Sequence, residues 1–233
     1  MTALLAPSPV GDELLDHPDA DPAAVRLSLA NIARANWWFG GVWAMSMALS
    51  RLAPPPRGAQ ALTLLDLGTG DGDLPRRAVR WGARRGMQIR PLGLERSPTA
   101  ARMAQAQDVP TVLADAGALP FPDKSVDIVM MNLFLHHFAP ESAVRLLRSA
   151  DRVARLGVIV SDLQRSAVAP ALFGLGGRLL GFDQLTITDG QTSIARGYSQ
   201  ASLTDLMQRA GVAAQVYAAP GWRLVAQWTP VHT

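Results

Sequence analysis

The chain contains no cysteine, which excludes disulfides, zinc-thiolate sites and cysteine nucleophiles outright. Charge is sparse: 18% of residues are charged and the formal net charge is +3, so the isoelectric point near 10.1 reflects the dominance of arginine in the positive set. So small an excess is no signature of a nucleic-acid binder. Long apolar runs are missing as well. The longest uncharged apolar stretch, Asn36 to Ser50, falls short of the roughly 18 to 20 residues a membrane span needs and contains a Gly-Gly pair. The N-terminus meets Asp12, Glu13 and Asp16 instead of a basic stretch followed by an apolar one, which argues against a secretory signal. The expectation is a soluble, cytoplasmic protein.

What is present is a globular balance, with 48% apolar residues in a 233-residue chain. From about Pro22 to Leu52 the apolar residues keep helical spacing (Val25, Leu29, Ile32, then Val42, Met45, Leu49), and the prolines of Pro54 to Pro56 end it. Residues 1–58 therefore read as a helical extension or lid. Residues 59–233 read as the main domain, with the Pro54 to Gly58 segment as the boundary.

In that domain short apolar runs alternate with amphipathic helices. Ala61 to Asp66, Pro91 to Glu95, Thr111 to Asp115, Val126 to Asn132 and Gly157 to Asp162 predict buried parallel strands, because a sheet covered on both faces needs continuous hydrophobicity. Pro91 is expected to open its strand, since proline cannot donate into a ladder. Helices are predicted from Asp73 to Gly86, after Pro140 and over Ala201 to Ala210. The C-terminal runs on either side of Ala219-Pro220-Gly221 predict an antiparallel pair. The fold class is α/β: a Rossmann-like, seven-stranded, mostly parallel sheet with a C-terminal hairpin and helices on both faces. The segment 164–197 reads as a substrate-side insertion, its "QLTITDGQTSI" part strand-like.

The first strand runs into "LDLGTGDGDLP", Leu65 to Pro75. Such a loop can hold a pyrophosphate, a nucleotide phosphate or a ligand without phosphate. The dinucleotide pattern G-x-G-x-x-G fails, because Asp73 stands where its third glycine belongs. The phosphate-loop pattern fails for want of its lysine and Ser/Thr, and Asp66, Asp71 and Asp73 would surround a phosphate with like charge. A zwitterion with a cationic centre suits the loop better.

Here the sequence resembles the class I S-adenosylmethionine (SAM) dependent methyltransferases, whose first motif is E/D-x-G-x-G-x-G. Asp66, Gly68, Gly70 and Gly72 match it, with Thr69 inside the loop. The resemblance implies that Glu95, with Arg96 beside it, receives the ribose hydroxyls. It implies that Asp115 and Ala116, in "VLADAGALPFPDKSVDIV", hold the adenine and that Asn132 faces the methyl donor. It covers Ala61 to Trp228 and implies SAM as cofactor and S-adenosylhomocysteine (SAH) as product. "SDLQRS" (Ser161 to Ser166), "GYSQASLTDLMQRAG" (Gly197 to Gly211) and "ANWWFGG" (Ala35 to Gly41) are similar to bacterial members that modify phenols, quinone precursors and polyketides. The implied acceptor is a small aromatic molecule, with O-methylation favoured, in a monomer or homodimer.

His136 and His137 follow the fourth strand, where acceptors sit in such enzymes. Either can take a proton from a phenol, or one can pack while the other shapes the pocket. No metal is expected, because adjacent histidines point apart and the sequence offers no third ligand. Trp37 and Trp38, with Trp43, can lid a flat substrate or pack the extension. Asp162 lies on the ligand edge of the sheet, where it can orient a histidine or a substrate hydroxyl. The competing readings are an RNA methyltransferase, which would want Asn/Asp-Pro-Pro-aromatic where "NLFL" stands, a nicotinamide oxidoreductase, and a methyltransferase-like protein that only binds.

Overall fold

The computed structural model describes residues 13, 20–52 and 61–231. The expected boundary at Pro54 to Gly58 lies outside the described residues, as does most of the chain before Ala20.

Two helices begin the fold, α1 (Pro22–Trp38) and α2 (Gly41–Arg51). Asp21 caps α1, its carboxylate accepting the N–H groups of Ala23 and Ala24 at 3.1 and 2.9 Å, with Pro22 in the first turn where its missing N–H costs nothing. The break between them falls at Gly40, whose φ of +81° is the left-handed conformation that favours glycine.

There follow β1 (Leu62–Leu67), α3 (Asp73–Ala83), β2 (Ile89–Glu95), α4 (Pro98–Gln105), β3 (Thr111–Leu113), β4 (Val126–Asn132), α5 (Pro140–Val153) and β5 (Ala154–Leu163). Next come α6 (Ala169–Leu179), α7 (Gln184–Arg196), α8 (Gln200–Ala210), β6 (Gln215–Ala219) and β7 (Arg223–Trp228). The seven-stranded sheet has the order β3-β2-β1-β4-β5-β7-β6, and β7 runs antiparallel to both of its neighbours. This is the expected Rossmann-like architecture.

Alternate residues of the central strands feed two cores. Leu64, Ile128 and Met130 pack with Met45 of α2 and Trp81 of α3 on one face. Leu65, Leu67, Val129 and Met131 pack with Leu147 of α5 and Leu206 of α8 on the other. The order reverses between β1 and β4, and at such a switch point the loops leaving the carboxyl ends diverge and open a crevice. Helix α1 lies over that edge, with Val25 and Leu29 against Ala100 of α4 and Ala35 against Ile187 of α7.

Two local expectations are corrected. Pro91 is the third residue of β2, not its first. Gly93 donates to Pro110 on the β3 side, so the Pro91 nitrogen faces the same side, beyond the start of β3, and no ladder bond is lost. The strand-like run 184–194 is the helix α7. Asp183 caps it by accepting the Thr186 N–H at 3.0 Å, and Ile187 and Ile194, seven residues apart, are both buried. Packing of that face overrides the β-branched propensity of Thr186 and Ile187.

Candidate active site

The carboxyl ends of β1, β2 and β4, the inner side of α1 and the segment from α6 to α7 enclose a cavity of about 320 Å³. Its cofactor side is built from turns. Gly68 and Gly70 have φ of +71° and +57°, and a Cβ on Gly68 would stand 2.3 Å from the Phe134 ring. The Phe134 ring thus packs directly on the Gly68 backbone, and Leu29 stands 3.0 Å from where a Gly70 Cβ would lie, so the tight turn closes against its neighbours only with glycine at these positions. Asp66 is buried at the end of β1, and its Oδ1 has no hydrogen-bond partner among the described residues. Burial pushes its carboxyl up to about 8, and the Glu95 charge adds to the rise.

Glu95 braces the loop. One oxygen accepts the Gly70 N–H at 3.0 Å, and the other accepts the N–H groups of Arg96 and Ser97 at 2.8 and 2.9 Å. Asp115 accepts from the Gly117 N–H at 2.6 Å. Asp66, Gly68, Thr69, Gly70, Glu95, Arg96, Asp115, Ala116 and Asn132 all line the cavity, whereas Gly72 does not and instead caps α3. An orphaned buried carboxylate oxygen beside a glycine floor fits the ammonium and methionine portion of SAM.

The acceptor side is drawn from distant parts of the chain. A short 3-10 turn, Leu135–His137, follows β4 and carries both histidines to the cavity. His136 Nδ1 lies 2.6 Å from Asp162 Oδ1, and the other Asp162 oxygen accepts the His136 backbone N–H at 3.1 Å. With Nδ1–H donating to Asp162, Nε2 carries the lone pair, and this buried atom has no hydrogen-bond partner among the described residues, the Glu13 carboxylate standing 3.8 Å away. Burial disfavours the imidazolium, but the Asp162 charge and hydrogen bond, helped by Glu13, outweigh it and hold His136 above its ordinary value. Burial likewise opposes ionisation of Asp162, yet the His136 charge and hydrogen bond hold its carboxyl below the usual range.

Three expectations are corrected here. Trp37 and Trp38 are 58% and 64% exposed and do not line the cavity, and Arg77 covers the Trp37 ring at 5.2 Å. Their neighbours Asn36 and Phe39 turn inward instead, since successive helix positions are about 100° apart. Asp162 is fully buried behind His136 and does not line the cavity, so of its expected roles it is placed to orient the histidine and not to meet a substrate hydroxyl. The two histidines do not diverge: the tight turn sets their rings 4.3 Å apart, and the Glu13 carboxylate completes a trio of donor atoms within 4.8 Å of one another. Arg196 and Ser193 of α7 donate to the two oxygens of Glu13 at 3.1 and 2.8 Å, so a cation already stands beside that carboxylate.

Glu13, Asn36, Arg196 and Arg223 also line the cavity. They lie far apart in the chain and carry no motif. The one sequence signal was a lone arginine opening the otherwise apolar strand "WRLVAQW".

Residues 65–161 match a family described as Methyltransferase domain. No curated protein matches the sequence significantly. Among solved structures, a SAM-dependent methyltransferase from Aquifex aeolicus aligns with a TM-score of 0.63 at 14% identity, over 91% of this chain and 99% of that one. A plantazolicin methyltransferase in complex with SAH aligns with a TM-score of 0.65 at 13% identity, over 94% of each chain. An O-methyltransferase family 2 protein from Planctomyces limnophilus, in complex with apigenin, aligns with a TM-score of 0.63 at 15% identity, over 91% of this chain and 63% of that one. The fold is that of SAM-dependent methyltransferases and residues 65–161 match a methyltransferase domain, which together support SAM-dependent methyl transfer with SAM as the cofactor. Among the described residues no helix is long and apolar enough to cross a membrane.

Proposed function

We propose that this methyltransferase acts on a hydroxyl of a small aromatic or polyketide-derived acceptor, with His136 as the general base. The observation that carries the reading is the His136 Nε2 atom, buried at the cavity wall without a hydrogen-bond partner and 3.8 Å from Glu13 Oε1, with Asp162 2.6 Å behind Nδ1. When bound, SAM supplies a sulfonium methyl open to in-line displacement.

The chain's own residues do the rest. Asp162 fixes the tautomer and offsets the charge His136 gains on taking the acceptor proton. Phe39, Phe134, Phe138 and Phe173 give the cavity aromatic walls that suit a flat ring. The glycine floor and Asp66 hold the donor, and Glu95 and Asp115 position its nucleoside. Positioning of this kind lowers barriers by about 7 to 11 kcal/mol, and a general base adds a factor of roughly 100 to 10,000. On this reading residues 1–58 are an N-terminal extension whose helix α1 is the lid, 59–233 the catalytic domain and 164–197 the insertion that builds the acceptor wall. Small size of the acceptor is supported by enclosure, since α1, α6 and α7 close over the site.

The test is turnover of a phenol panel with SAM by wild type and His136→Ala, beside thermal shifts with SAH and with NAD(H). At about 100 times its dissociation constant SAH should raise the melting temperature by roughly 5 to 10 °C. Equal turnover by wild type and His136→Ala would remove the base, and a shift with NAD(H) alone would remove the donor.

A further inference from the structure

The proposed chemistry leaves a buried cation at the cavity unused. Arg223, the first residue of β7, is 2% exposed, yet it lines the cavity. Its guanidinium reaches only neutral oxygens, and at long range: Asn36 Oδ1 at 3.2 Å, the Phe39 carbonyl at 3.3 Å and Asn132 Oδ1 at 3.5 Å. The Asn36 oxygen is shared, since it also accepts from Asn132 Nδ2 at 3.3 Å.

No carboxylate among the described residues forms an ion pair with Arg223. Asp162, on the adjacent strand, spends its oxygens on His136 and on the Leu163 N–H, and Glu13 spends its own on Arg196 and Ser193. Burial lowers Arg223 to about 10, against the favourable Asp162 charge, so the group remains a cation at neutral pH. A desolvated cation met, among the described residues, only by amide oxygens is under-compensated, and its planar fork is suited to an oxyanion. It stands between Asn132, at the donor end of β4, and the aromatic walls formed by Phe39 and the neighbouring Trp222.

We infer that Arg223, framed by Asn36 and Asn132, is an anion subsite for the acceptor, which is held through a negatively charged oxygen carried on a flat apolar body. The inference rests on the methyl-transfer reading and deepens it: the acceptor is an acid, bound either through a ring oxyanion or through a carboxylate substituent. In the first case the proton resides on His136 while Arg223 holds the charge left on oxygen. In the second Arg223 orients the acceptor by a substituent that does not react.

Titration of the SAH-loaded full chain with matched probes tests it. 4-Nitrobenzoate is compared with 4-nitrobenzamide, and 4-nitrophenol is followed by the absorbance of its phenolate. The inference expects 4-nitrobenzoate to bind about tenfold or more tightly than the amide, or bound 4-nitrophenol to ionise about one pH unit lower than free. The first result assigns a carboxylate acceptor and the second a ring oxyanion. Arg223→Gln should abolish the preference. Asn36→Asp, which supplies an internal carboxylate to the guanidinium and keeps the arginine packed, should do the same if Arg223→Gln fails to fold. No anion preference in the wild type, including no binding of any probe, overturns the inference. So does a loss of SAH affinity of about tenfold in both variants, which would assign Arg223 to the donor's own carboxylate. Failure of SAH to bind the wild type is a different result, which takes down the methyl-transfer reading itself.

Discussion

The two halves of the cavity are built in opposite ways. On the proposed donor side, residues between 66 and 116 line the cavity from the ends of consecutive strands, with Gly68 and Gly70 in left-handed backbone conformations. On the proposed acceptor side, Glu13, Asn36, His136, Ser193, Arg196 and Arg223 converge from across the chain through their side chains, Glu13 being met by Arg196 and Ser193 while Arg223 meets neutral oxygens. The first half is a geometry that tolerates little change in shape. The second is a charge balance that can be retuned residue by residue, which suits a common donor and a variable acceptor.

Substitutions should separate the halves. The largest effect is expected at the donor floor: Gly68→Val combines left-handed backbone strain with a clash against Phe134, and SAH affinity should fall by about 100-fold or more. His136→Ala should leave SAH affinity within about threefold while lowering turnover of a phenolic acceptor by roughly 100-fold or more. Calorimetry on both variants breaks the comparison if each damages both halves equally.

Next in size is a pH effect. Because His136 is raised, its base form accumulates only above the ordinary histidine value, so kcat/KM should climb with pH through a displaced midpoint. Asp162→Asn should shift that midpoint downward, since the carboxylate that holds the proton is gone. The stability this pair contributes is fully present between the ordinary carboxylate and histidine values; it is lost as pH rises through the raised His136 value and as pH falls through the lowered Asp162 value. Asp66 acts on the other half. Its rise from 3.8 to about 8 destabilises the native state as pH climbs between those values, and binding of the donor's cation should release a proton in the same window. SAH affinity should therefore strengthen toward pH 8, as calorimetry in two buffers of different ionisation enthalpy would show.

Smaller effects sharpen the acceptor side. Trp38→Ala should change turnover by less than about twofold, because the ring faces outward. Exhaustive chelation with EDTA should do no more than that. A loss that added Zn2+ or Mg2+ restores would make Glu13, His136 and His137 a metal centre instead.

Much of the fold was legible in the chain because it is written in local period. The apolar runs of β1, β4 and β5 can be buried on both faces only in a covered parallel sheet, and the glycine spacing after β1 rules out phosphate loops without reference to anything distant. Pro91 and the run 184–194 were misread for the complementary reason. Whether a proline disrupts a ladder depends on where the neighbouring strand starts, and whether Thr and Ile form helix or strand depends on what lies beneath them.

By itself, then, the sequence determined the sheet, its hairpin and the glycine turn after β1, since these follow from backbone geometry and hydrophobic period over a few residues. The tertiary structure decided that Trp37 and Trp38 turn outward while Asn36 turns in, that Asp162 stands behind His136, and that Arg223 is a cation buried among amides. Each of these depends on the distance between side chains far apart in the chain, and electrostatic compensation in a buried site follows distance in space, not order in sequence.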